Sequence, residues 1–108
     1  MSLYRFKSRE TGDLVMLQPH GKRMLEILGK DPGNPGIVSP EQMSGAVQAL
    51  RDAVAHEEAE HKRLIEEAAA RGEPPPEFDP VSLCMRSAPF IEMLQRCEKA
   101  GVEVVWGV

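Results

Sequence analysis

The strongest constraint in this chain is a helix with a marked beginning and a marked end. In Ser39-Pro40-Glu41-Gln42, Ser39 is placed to cap, Pro40 takes the first helical position and Gln42 completes a capping box. Gly72 and the run Pro74-Pro75-Pro76 supply the stop after Arg71. Between them Met43, Val47, Leu50 and Val54 form an apolar stripe at alternating spacings of four and three. The stripe then falters: Glu57, Glu58 and His61 fall where apolar residues belong, and Leu64, Ile65 and Ala68 resume it weakly. Unbroken, such a helix measures about 47 Å, whereas a compact domain of this length has a radius of gyration near ~13 Å. Its second half must bend back, protrude, or pack against another chain. The i,i+4 pairs Glu58 with Lys62 and Glu67 with Arg71 would support it in solvent.

Strand patterns lie on either side of this helix. Leu3 to Lys7 alternates, with Tyr4 and Phe6 on one face. Ser8 to Gly12 carries turn chemistry, and the continuous apolar run of Asp13 to Leu17 suits a central strand better than an edge. Together they predict a β-hairpin. A short helix is expected over Gly21 to Leu28, with Gly29 just past its end, followed by a Pro- and Gly-rich loop from Lys30 to Gly36. Ile37 and Val38 read either as a short strand or as a plug for the core. A third helix begins with Ser82 as N-cap and joins Leu83, Phe90, Leu94 and Cys97 on one face. Pro89 lies inside it and is expected to kink or break it near Ala88. Beyond Ala100-Gly101, the alternation of Val102, Val104, Trp106 and Val108 predicts a last strand.

Composition closes off several functions. Thirteen basic residues face 17 acidic ones, giving a net charge of −4, and the basic ones are scattered. Nucleic-acid binding needs clustered cations that displace counterions, so neither DNA nor RNA is an expected partner. No apolar run approaches the ~20 residues of a membrane span, and no signal-peptide pattern opens the chain. Cys84 and Cys97 share a helix, roughly 20 Å apart, too far to pair. Free thiols point to a reducing cytoplasm.

The one cluster suggestive of chemistry is His56-Glu57-Glu58-Ala59-Glu60-His61. Two histidines four apart would face one metal, but these are five apart and diverge by roughly 140° around a helix. The pairs His56 with Glu60 and Glu57 with His61 each offer two ligands to a zinc or nickel ion, and a third must come from elsewhere. A solvated polar helix face explains the same residues. No nucleophile motif is present, and the loop Asp31 to Gly36 lacks the Lys-Ser/Thr of a phosphate loop. Trp106 reads either as an inward core anchor or as part of a partner interface, where tryptophan is enriched.

Several blocks carry a resemblance. Phe6-Lys7-Ser8, Thr11-Gly12-Asp13-Leu14-Val15-Met16-Leu17, Ser82-Leu83 through Arg86, Pro89-Phe90-Ile91-Glu92-Met93-Leu94 and Val105-Trp106-Gly107-Val108 recur together with their intervening lengths. Over essentially its whole length the chain resembles a family of small bacterial proteins labelled domain of unknown function 1840. That resemblance implies a stand-alone cytoplasmic protein. The label carries no activity, cofactor or site, so no catalytic residue is transferred.

These patterns predict an α+β fold. A small three-stranded, mainly antiparallel sheet, built from the N-terminal hairpin and the C-terminal strand, packs against three helices, the middle one long and protruding. Residues 1–108 make one domain, with 56–80 a polar helix extension and Pro-rich linker. The expected function is a non-enzymatic protein-interaction or self-associating module, acting through the long acidic helix, the third helix or a sheet edge. Pro89, Phe90 and Trp106 are the interface candidates. The alternative is a small metal-binding protein or metal-dependent enzyme using His56, Glu57, Glu60 and His61, and a ligand groove around Trp106 is a third option. No cofactor is expected otherwise.

Overall fold

The computed structural model describes residues 3–107. In chain order the elements are β1 (Leu3–Lys7), β2 (Leu14–Leu17), α1 (Gln18–Ile27), β3 (Gly36–Val38), α2 (Pro40–Ala70), α3 (Leu83–Ala100) and β4 (Val104–Trp106). The strands form one antiparallel sheet in the order β2-β1-β4-β3. The fold is α+β with three helices, as the sequence predicts, but the sheet has four strands rather than three. The added strand is Gly36–Val38, which pairs Ile37 with Val105 and Val38 with Val104. Three residues are too few for an alternation to separate a strand from a core plug, and here Val38 does both, being fully buried. Val108 lies outside the described residues.

The place of β2 in the sheet differs from the one its sequence predicts. β2 was expected to be central because its run is continuously apolar, yet it is an edge strand; β1 and β4 occupy the centre. Leu14 and Met16 turn toward the core, while Val15 and Leu17 lie exposed on the opposite face. The apolar run therefore reflects one buried face and one uncovered face.

The helix ends follow local chemistry. α1 begins at Gln18, three residues before its expected start, because Pro19 presets its first turn directly after β2. Gly21 lets α1 lie on Tyr4: a Cβ at Gly21 would collide with the Tyr4 ring and its Cβ. At the other end Gly29 adopts φ 73°, Lys30 N–H donates to the Leu25 carbonyl at 2.8 Å and Gly29 N–H to that of Glu26 at 3.0 Å, a Schellman closure. α2 opens with Ser39 extended; the Gln42 side chain accepts from Ser39 N–H at 3.2 Å. Ser82 caps α3 by accepting from Met85 N–H at 3.2 Å. α3 runs through Pro89 without the expected break at Ala88. The lost backbone bond costs about 3 kcal/mol or more. Burial of Leu83 and Ser87 before Pro89, and of Phe90, Met93, Leu94 and Cys97 after it, packs both halves against the core.

The core lies between the inner face of the sheet and the three helices. Phe6 stacks on Phe90 with ring centroids 4.6 Å apart and meets the edge of Trp106 at 6.1 Å. Met24 and Leu25 from α1, Met43 and Leu50 from α2 and Leu94 from α3 close around them, each fully buried. α2 stays continuous over 31 residues. Its first half packs on α3, and its second half projects past the start of α3 by roughly 20 Å, at 1.5 Å per residue. The principal extents are 52 × 31 × 21 Å and the radius of gyration is 16.0 Å, against ~13 Å for a compact chain of this length.

Candidate interaction site

The polar stretch of α2 is engaged with its own chain at several points. Glu57 sits only partly exposed and accepts from Leu83 N–H at 2.8 Å, so its carboxylate caps the first turn of α3. The same carboxylate pairs with Arg23 of α1 at 3.4 Å. His61 stacks flat on Phe78, with centroids 3.8 Å apart and 8° between the planes. The linker from Gly72 to Ser82 thus returns along the projecting half of α2. Ala68, one of the weak apolar positions, is buried there, and Glu73 N–H donates to the Ala68 carbonyl at 2.9 Å.

Arg63 bridges two carboxylates, pairing with Glu60 and, at 2.6 Å, with Glu67. The hydrogen bond from Arg63 holds the Glu60 carboxyl below its ordinary range, and Glu60 in turn raises Arg63. The two i,i+4 pairs named from the sequence do not form: Glu67 pairs with Arg63 instead, itself four residues away, Arg71 pairs with Glu73, and among the described residues neither Glu58 with Lys62 nor Glu67 with Arg71 makes an ion pair. Of the four residues considered for metal, Glu57 is bound to Leu83 and Arg23, Glu60 to Arg63 and His61 to Phe78, while His56 is exposed. Among the described residues no group of three or more His, Cys, Asp or Glu side chains converges as a metal cage would require.

The three interface candidates separate by position. Phe90 and Trp106 are interior residues of the single chain, 0% and 1% exposed. Trp106 is the inward anchor of β4, and its ring lies on Gly36, where a Cβ would collide with the indole. Its Nε1 is buried without a hydrogen-bond partner among the described residues. Pro89, by contrast, is exposed.

Pro89 stands at the middle of a groove between the open edge of β2 and the outer face of α3. Two adjoining hollows of about 300 and 270 Å³ share Leu14 and Pro89. The first carries Asp13, Glu92 and Arg96; the second carries Val15, Leu17, His20, Met85 and Arg86. Met85 is 56% exposed, Leu17 45% and Val15 42%. Leu3, paired with Leu17 across the strands, is also 56% exposed and extends the apolar surface onto the open sheet face. Pro89 has no N–H, so the Met85 carbonyl lacks its ordinary helical donor, and it does so beside the groove. Arg86 is fixed by Asp79 at 3.1 Å. Asp79 is held below the usual carboxylate range by the Val81 N–H and then by Arg86.

No motif or spacing in the sequence singles out Met85 as a site residue. A helical wheel hides it, because its exposure depends on which side of α3 the sheet edge leaves uncovered.

Fold and groove together define a small α+β domain with a one-sided sheet and an apolar groove at its β2 edge. The chain belongs to the family described as domain of unknown function 1840 (DUF1840), whose model matches residues 2–106. No curated protein and no solved structure matches it. No helix among the described residues is long and apolar enough to cross a membrane.

Proposed function

We propose that this chain is a non-enzymatic protein-interaction module that docks its partner on the β2 edge and the adjoining face of α3. One observation carries the reading: β2 has the sequence of a central strand, Leu14-Val15-Met16-Leu17, and the position of an edge strand. Edge strands are ordinarily guarded by charge, proline or a bulge, because their free backbone groups invite pairing. β2 has none of these within its four residues. A strand edge beside a flexible methionine is the surface that strand-adding and adaptable protein contacts use. A reducing, cytoplasmic setting accords with Cys84 and Cys97, both free.

The test is retention of protein partners, a second copy included, by the immobilised chain and by its Leu17→Lys/Met85→Glu variant. Both positions are exposed, so the variant keeps its core. The expected result is a partner held by the wild type and lost at least tenfold in the variant. Equal retention by both, or none by either, would overturn the reading.

A further inference from the structure

We infer that Pro74-Pro75-Pro76 makes synthesis of this chain depend on the translation elongation factor that relieves proline stalls on the ribosome, the pause falling between α2 and the two elements that complete the core. The run lies outside the groove, and the chain's other prolines stand singly.

The ring of proline sets the chemistry of the pause. To extend the chain, the amine nitrogen of the incoming residue attacks the ester carbonyl that joins the nascent chain to its tRNA. The C–N bond forms, the ester C–O bond breaks, and the freed tRNA hydroxyl takes the proton that the amine gives up. Proline brings a secondary nitrogen hindered by its own ring, and as the last residue joined it holds φ at about −65°. A following proline confines the residue before it to extended backbone, so Glu73 and Pro74 stiffen the end of the nascent chain where the Pro75 carbonyl must turn to meet Pro76. A poor donor then faces a poor acceptor. A factor seated beside the peptidyl-prolyl-tRNA relieves the stall by holding that end in a reactive pose.

The folded chain shows what the run is used for. Gly72, at φ 70°, and Glu73 N–H on the Ala68 carbonyl at 2.9 Å already end α2. Pro74, Pro75 and Pro76 are exposed and belong to no helix or strand, so neither the helix stop nor the core requires three of them. They supply reach. From Ala68 back to His61 is about 10 Å along α2, and the steps from Glu73 to Phe78 span about 15 Å in the polyproline conformation. The stiff run carries Phe78 back to its stack on His61.

The position in the chain gives the pause its weight. When Pro75 is joined, β1, β2, α1, β3 and α2 have been made, and α3 and β4 have not. β4 is the strand between β1 and β3, and α3 brings Phe90 onto Phe6. The waiting chain therefore has a divided sheet and an uncovered apolar face, a state prone to aggregate.

The test is translation of the full-length message in a reconstituted system with and without that factor. Without it, ribosomes should accumulate with Pro75 as the last residue joined, read as reverse-transcription stops on the message. Full-length product of 12.0 kDa should fall several-fold and recover when the factor is added. Pro75→Ala should remove the accumulation and make the yield equal in both conditions. Product is counted after denaturation, so a variant that fails to fold is read as well as one that folds. Synonymous codons at Pro74 to Pro76 should leave the pause in place. Equal wild-type yield with and without the factor would overturn the inference. A pause that persists in Pro75→Ala, or disappears on recoding, would overturn it too, since the message rather than proline would then set it.

Discussion

The two halves of α2 belong to one helix but are held by different physics. From Pro40 to Val54, burial decides: Met43, Ala46, Val47 and Leu50 face α3 and the rest of the core. From Ala55 to Ala70 only Ala68 is buried, and the helix is held by discrete contacts: Glu57 on Leu83, His61 on Phe78, and Arg63 between Glu60 and Glu67. Apolar burial acts over the whole surface removed from water, whereas each polar tether acts at one point and competes with solvent. The first half should therefore tolerate change poorly and the second half well.

That contrast can be broken at graded points. Leu50→Ala, at a fully buried position, should cost about 2–5 kcal/mol of unfolding free energy in urea titration. A cost below 1 kcal/mol would show that the first half is not core-bound. Glu57→Ala removes the acceptor at the α3 N-terminus and should cost about 1 kcal/mol. Glu57→Gln should recover part of that through its remaining oxygen, and equal losses in the two variants would deny the cap. Phe78→Ala strips the ring from His61 and should cost about 0.5–1 kcal/mol, with faster amide exchange confined to the projecting half. Arg63→Ala should change stability by less than about 0.5 kcal/mol, since both its pairs are exposed.

The smallest effect is one of pH. Asp79 is lowered from 3.8 by the Val81 N–H and Arg86. Its contribution is complete above that unfolded value and fades as pH falls through the lower folded one. Asp79→Asn should therefore narrow its stability deficit only in acid below that point; a deficit unchanged down through the acid transition would remove the linkage.

Much of this division was legible in the sequence. Ser39-Pro40, Ser82, Gly29 and Gly101 mark helix ends because capping is written in adjacent residues. The faltering stripe after Val54 announces the change from core to projection. Less legible were contacts between residues far apart in the chain. Glu57 reaches Leu83 across 26 positions, and no local pattern records a carboxylate that caps another helix. The misplacement of β2 has a different cause. Apolar residues on both faces ordinarily report burial on both faces, and at Val15 and Leu17 they report a face left open. The candidate site was thus half visible: Pro89 was singled out, while Phe90 and Trp106 belong to the interior and Met85 to the groove.

The projecting half of α2 also governs how the molecule travels. A body with a 52 Å long axis and a 21 Å short one meets more friction than a sphere of equal mass and rotates faster about its length than end over end. On a sizing column the monomer will run slightly ahead of its mass, so elution volume alone overstates the mass that moves. Nuclear relaxation will register the same anisotropy: amide vectors parallel to the long axis will reorient more slowly, and so lose transverse magnetisation faster, than those perpendicular to it, even where both are equally rigid.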